Sequence, residues 1–181
     1  IAEKPSVAQS YAKNLSAYKR EDGYLEGESC IVSWCLGHLA EYAQPEEYDP
    51  KYEKWQFDDL PILPEAWKLK VSKDKKKQFE VIKTLMNRSD VEYLVNGCDA
   101  GREGELIFQR VYVLAGCRKP VKRLWISSME DAAIQKGFQT MKSEEEYKNL
   151  CMAAVCRAQA DWLIGMNGTR AYTTRYFKRL V

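Results

Sequence analysis

Residues 91–116, VEYLVNGCDAGREGELIFQRVYVLAG, constrain the fold more tightly than any other stretch. VEYLVNGCD reads as a strand, an apolar β-forming run that breaks at a glycine. REGELIFQRVYVLAG reads as a helix, closed by Gly116 at a C-cap position. Between them sits a turn bearing a carboxylate, Asp99, and a glycine, Gly101. A strand that feeds a helix through so short a turn is half of a βαβ unit, and its apolar face needs neighbours of the same kind.

The flanking sequence supplies them. IAE (1–3) reads as the last residues of a buried strand. KPSVAQSYAKNLSA opens a helix with Pro5 and Ser6 and sets Val7, Tyr11 and Leu15 on one face. DGYLEGESCIVSWCL predicts a hairpin, with strands over 23–27 and 30–36 and a turn at Gly27-Glu28-Ser29. PEEYDPKYEKW predicts a short helix or irregular segment, LPILPEAW an extended one because of its two prolines, and WKLKV a short strand. From Lys75, Phe79, Ile82, Lys83 and Met86 recur at helical spacing through residue 87. VKRLWIS predicts a strand, and SMEDAAIQKGFQTM a helix with Ser128 as N-cap and Asp131 three residues on. A longer helix begins near Glu144 and runs through CRAQADWLIGMNGTRAYTTRYF. Strands alternating with helices predict an α/β fold, a mostly parallel sheet with helices on both faces. Ligands of such sheets bind at the carboxyl ends of the strands, where both Glu3 and Asp99 would lie.

Composition narrows the function classes only a little. The net charge of +2 does not announce nucleic acid, although KDKKK (73–77), RKPVKR (118–123) and RAYTTRYFKR (170–179) are local positive stretches. Each is read first as a solvated surface. Six cysteines with no C-x-x-C pair and a single histidine argue against zinc. Free thiols in apolar contexts predict a reducing cytoplasm. No apolar run approaches the roughly 18 residues of a membrane helix, and no signal-peptide pattern occurs. The start at Ile1 and the abrupt YFKRLV end predict a fragment that lacks a few residues at its front.

The turn at 97–105 poses a conflict. Glycines let a backbone come close to a phosphate, yet Asp99, Glu103 and Glu105 would repel one. There is no G-x-x-x-x-G-K-[ST], and an acid within the turn opposes a pyrophosphate, so neither a P-loop nor a dinucleotide site fits. A divalent cation resolves the conflict. Mg²⁺ takes carboxylate, water and phosphate oxygens, and Asp99 with Glu103 or Glu3 can supply the carboxylates. Arg102 and Lys4 can neutralise phosphate charge in a transfer reaction. The competing reading is that Glu103 and Glu105 merely favour a helix N-terminus.

Four blocks, AEKPSVA (2–8), SWCLGHLAEYAQPEEYD (33–49), DAGREGELI (99–107) and CRAQADWLIGMNGTR (156–170), together resemble the amino-terminal part of bacterial type IA DNA topoisomerases, of the topoisomerase III kind. The resemblance implies a Toprim domain over 1–145 and the start of a helical DNA-groove domain over 146–181. It implies Glu3 as a catalytic proton shuttle, Lys4 at the scissile phosphate, and Mg²⁺ held by Asp99, Glu103 and Glu3. It also implies that Trp55, Arg157, Ala160, Asp161 and Gly168 contact single-stranded DNA. The middle acid of the family's D-x-D-x-E set is Gly101 here, so a second metal comes into question, and Glu105 is a possible substitute. The family's nucleophilic tyrosine belongs further along the chain; Tyr176 reads as helix packing, and His38 as either a neighbour of the site or a structural residue. The full protein is then expected to relax or decatenate DNA in the bacterial cytoplasm through a 5′-phosphotyrosine link, the fragment alone being inactive. Another Toprim enzyme, such as a primase or nuclease, and a nucleic-acid-binding module with a vestigial metal site are the alternatives.

Overall fold

In the computed structural model, which describes residues 1–176, the chain order is α1 (Pro5–Asn14), β1 (Lys19–Glu21), β2 (Tyr24–Glu26), β3 (Ile31–Ser33), β4 (Ala40–Tyr42), α2 (Pro45–Tyr48), β5 (Leu69–Val71), α3 (Lys76–Met86), β6 (Leu94–Asn96), α4 (Arg102–Ala115), β7 (Val121–Arg123), α5 (Asp131–Gln139), β8 (Lys142–Ser143) and α6 (Lys148–Tyr176), with short 3₁₀ turns between some of them. The chain divides into two compact units, residues 1–41 with 71–154, and residues 42–70 with 155 onward.

The first unit is built on a sheet whose middle is only two residues wide. Ala2 forms parallel bridges to Trp34 on one side and Gly97 on the other. The Ile1 amine donates to Val95 O at 2.8 Å, and Ala2 N to Ser33 O at 2.9 Å. These two residues join an antiparallel meander, β1-β2-β3, to a set in which β6 and β7 are parallel and β8 is antiparallel to β7. The parallel centre agrees with the expectation for IAE and VEYLVNGCD; the margins are antiparallel.

Alternation along the strands sends side chains into two cores. Leu94 and Val121 pack with Phe79, Ile82 and Met86 of α3 and Ile107, Phe108 and Val111 of α4. Val95, Val32 and Leu124 pack on the other face with Ala8, Tyr11 and Ala12 of α1 and Ile134 of α5. The sheet is thus covered on both sides, as the alternating pattern required. Gly116 ends α4 in the left-handed region at φ 64°, where glycine carries no Cβ penalty.

Several local expectations change. Lys83 is exposed, and Leu85 takes its place on the buried stripe of α3. Ser128 does not cap α5: the cap is Glu130, and the Ser128 hydroxyl accepts from Glu130 N at 3.3 Å instead. The strands are two or three residues long rather than five or more. Strands β1 and β8 escape detection because their residues, KRE and KS, are exposed or half-exposed and carry no apolar period.

The second unit has an aromatic core. Trp162 of α6 meets Trp67 edge-on at 5.4 Å between ring centroids and Tyr48 at 5.7 Å, and Tyr42 lies 4.7 Å from Trp67. Trp162 Nε1 donates to Ala43 O at 3.1 Å, which satisfies the indole in its buried position. The Asn167 side chain brackets Ile62, accepting from its N–H at 2.6 Å and donating to its carbonyl at 3.0 Å. The extended LPILPEAW segment is tied down by these side chains rather than by a ladder.

Candidate functional site

Parallel neighbours end at the same edge of a sheet, so Ala2 and β6 deliver Glu3 and Asp99 to one place. Asp99 N donates to Glu3 Oε2 at 3.4 Å. Lys4 Nζ lies between the two carboxylates, 3.6 Å from Glu3 Oε1 and 3.8 Å from Asp99 Oδ2. The Glu3 side chain is recessed, 11% exposed, whereas those of Lys4 and Asp99 are 57% and 52% exposed. A cation reaching this edge from solvent therefore meets Asp99 first and Glu3 behind it.

The start of α4 explains its glycines unequally. A Cβ on Gly104 would come within 2.9 Å of Asp99 N and closer still to its carbonyl oxygen, so the helix can approach the turn only without a side chain there. Gly101 is different: its backbone is extended, and a Cβ would meet nothing within 4 Å. The space that the family's middle acid would use is open. Arg102 and Glu103 are exposed, and Glu103 Oε2 lies 3.4 Å from His38 Nε2. The His38 loop is held beside the site, since Gly37 N donates to Glu3 O at 3.3 Å and Lys75 Nζ to His38 O at 2.9 Å.

The structure thus brings Glu3, Lys4 and Asp99 together and leaves Glu103 against His38. Among the described residues no three acids, histidines or cysteines converge as a metal cluster. The chemistry of the pair still fits a hard cation: Glu3 and Asp99 flank one ammonium, and two carboxylates plus waters are a common Mg²⁺ donor set.

Directly beneath the turn lies a network that sequence reasoning missed. Arg123 is fully buried and Glu105 nearly so, and the Arg123 Nε donates to the Glu105 carboxylate. Arg123 Nη1 donates to the carbonyls of Cys98 at 2.7 Å, Leu124 at 2.8 Å and Asn96 at 3.0 Å, and Nη2 to that of Asp99 at 2.8 Å. Asn96 Nδ2 reaches Glu105 Oε2 at 3.4 Å, and its Oδ1 accepts from Cys98 N at 3.2 Å. Glu105 is therefore not a substitute metal ligand, and Arg123 is not part of a solvated basic surface. The sequence carried a signal: Glu105 falls on the buried stripe of α4, and Arg123 shares the buried side of β7 with Val121, the two alternating with exposed Lys122. Opposite charges at two positions due to be apolar predict a partnership.

The Toprim domain profile matches residues 1–129. The chain belongs to the Toprim family. Toprim domains bind divalent metal ions, in keeping with the Glu3–Asp99 pair. Similarity extends past the Toprim match. The chain is 49% identical over 180 residues to DNA topoisomerase 3 of Bacillus subtilis, and 51% identical over 180 residues to the proteins of the same name from Bacillus anthracis and Bacillus thuringiensis. In each case 99% of this chain is covered but 25% of the relative, so the chain spans about a quarter of the length of the curated relatives it matches.

Beyond the Toprim match, the second unit holds the remaining candidates. Arg157, Ala160, Asp161 and Gly168 are all exposed and recur at spacings of three, four and seven, on one side of α6. Ile164, 73% exposed, lies on the same side, while Ala158, Trp162, Leu163 and Met166 face the aromatic core. Arg157 Nε is 3.7 Å from Asp161 Oδ2, an exposed pair of small energetic weight. A Cβ on Gly168 would meet nothing within 4 Å. Trp55 is half-exposed, and the Arg170 guanidinium lies 4.9 Å from the centre of its ring. Arg170 itself is buried, donating to Tyr52 O at 2.6 Å and lying 3.5 Å from Glu46 Oε2. It too departs from the solvated-surface expectation for 170–179, of which residues 177–179 lie outside the described residues. Among the described residues no helix is long and apolar enough to cross a membrane.

Proposed function

We propose that this chain is part of a type IA DNA topoisomerase of the topoisomerase III kind, which relaxes or decatenates DNA by transient single-strand cleavage in the bacterial cytoplasm. The observation that carries this is that an alignment at about 50% overall identity covers 180 residues and so extends well past the Toprim match at 1–129, since primases and nucleases of the Toprim family share the acid turn without that second block. In this reading residues 1–145 are the Toprim domain and 146–181 begin a helical domain along the DNA groove. The nucleophilic tyrosine belongs to the longer protein, and the chain alone is inactive.

The reaction joins the tyrosine oxygen to phosphorus and breaks the bond to the 3′ oxygen, leaving a 5′-phosphotyrosine; resealing reverses both changes. Glu3, recessed and within reach of the turn, gives a proton to the leaving 3′ oxygen while the tyrosine hydroxyl releases its own to solvent; on resealing Glu3 takes the proton of the 3′ hydroxyl and the departing tyrosine oxygen regains one from solvent. Lys4 Nζ stands 3.6 Å from the recessed Glu3 carboxylate and 3.8 Å from the exposed Asp99 carboxylate, and its own side chain is more than half exposed, so its ammonium is free to turn to a phosphate oxygen. Arg102, exposed at the start of α4, adds a second positive charge. Glu3 and Asp99 would hold Mg²⁺, joined by Glu103 once it leaves His38. When bound, the ion supplies positive charge that positions the scissile phosphate, chiefly for resealing. Trp55 and the exposed side of α6, with Arg157, Ala160, Asp161 and Gly168, take the single strand: small residues admit the sugar–phosphate backbone and the indole stacks on a base.

The test is the full-length protein carrying Asp99→Ala. Mg²⁺-dependent relaxation of negatively supercoiled plasmid should fall at least 100-fold, and relaxation at the wild-type rate would remove Asp99 from the site.

A further inference from the structure

Resting on that reading of Asp99, we propose that Arg123 is a positioning residue of the metal site, and that the Glu105–Arg123 pair sets where the Asp99 carboxylate points. Ladder bonds reach only the start of the turn, where Leu124 N donates to Asn96 O at 3.0 Å and Gly97 N to Ile1 O at 2.8 Å. Over the whole turn from Asn96 to Asp99, three of the four carbonyls, those of Asn96, Cys98 and Asp99, accept from one guanidinium. Such a planar fork reaches several acceptors in fixed directions, which a single ammonium cannot do. The fork is itself held by the Glu105 carboxylate, and Glu105 by Asn96, so the turn, the first turn of α4 and the end of β7 form one closed hydrogen-bonded ring.

Solvent is kept from it. The Trp125 ring lies 5.0 Å from the Arg123 guanidinium, and Tyr147 stacks on that ring with centroids 5.0 Å apart. In that dry setting an exposed carboxylate at residue 99 inherits the rigidity of a buried backbone. Groups that orient a metal ligand from behind typically change metal affinity about 10–100-fold when lost.

The experiment uses the full-length protein and two variants. Arg123→Lys keeps the charge beside Glu105 but gives up the fork. The double change Glu105→Leu with Arg123→Met replaces the pair by apolar side chains of similar volume, a swap that buried pairs often tolerate in stability. Mg²⁺ binding is measured by calorimetry without DNA, the Mg²⁺ midpoint of plasmid relaxation in parallel, and amide hydrogen exchange over residues 97–100 without metal. Both variants should melt as cooperative folded proteins, bind Mg²⁺ about 10–100-fold more weakly, recover relaxation at saturating Mg²⁺, and exchange faster at 97–100. A folded variant of either kind with Mg²⁺ affinity and exchange within twofold of wild type would overturn the proposal, leaving the pair a purely structural one. Asp99→Ala serves as the reference: if it leaves Mg²⁺ binding intact, the reading of the site itself fails, whatever Arg123 does.

Discussion

At Gly104 one methyl group decides whether the acid turn can stay where it is. The Asp99 backbone lies against the helix start, and neither side can yield: the turn is pinned by Arg123, and α4 by its buried stripe. Gly104→Ala should therefore destabilise the protein by about 1–3 kcal/mol, the usual cost of overfilling a packed site, and weaken Mg²⁺ binding at the same time. Thermal melting and a Mg²⁺ titration check both. An unchanged melting temperature would mean that the turn can move, which would also weaken the case for a rigid Asp99. Neighbouring Gly101, with open space around it, carries no such constraint. The two glycines look alike in DAGREGE; only contact distances tell them apart.

Between elements, α1 and α5 are tied at one point. Lys13 Nζ lies 2.6 Å from Asp131 Oδ2, and Asn14 Nδ2 donates to Oδ1 at 2.9 Å. The hydrogen bond from Lys13, then that from Asn14, holds the Asp131 carboxyl below the usual carboxylate range. A carboxylate whose folded pKa is depressed stabilises the fold above its unfolded pKa, and that contribution is lost as pH falls through the folded value. The loss belongs below about pH 4, starting at the ordinary Asp value of 3.8. Asp131→Asn removes the titration, so stability of the variant should fall less steeply below pH 4 than that of wild type. Denaturant melts between pH 2 and 5 measure this, and identical slopes would show that Asp131 does not link α1 to α5 in solution. The same residue explains why the sequence-based capping expectation failed: Asp131 is spent on a partner 118 residues away rather than on the end of its own helix.

On the scale of the molecule, two units carry separate cores, mixed aliphatic and aromatic on both faces of the sheet in the first and centred on aromatic rings in the second. Trp162 is the centre of the second. Trp162→Ala should cost about 3–5 kcal/mol, as large-to-small core changes do, and should strip hydrogen-exchange protection from residues 42–70 and 158–170. Protection at Ile82, Phe108 and Ile134 should persist. Equal loss in both regions would mean that the cores melt as one.

What could be learned from the sequence was whatever depends on short-range periodicity. Helices α1, α3 and α4 were legible from apolar spacing and end signals, the long α6 was expected to begin near Glu144 and begins at Lys148, and the α/β class followed from the alternation of helices with β-rich runs. Glu3 and Asp99 could be assigned to strand ends for the same reason. What only the tertiary structure decided was which strand ends are neighbours and what stands behind them. Ile1 and Ala2 reach β6 across more than 90 residues, and Arg123 meets the Asp99 turn from the next strand. Hydrogen bonds of that range leave no period in the sequence; they show beforehand only as a charge standing where an apolar side chain should be.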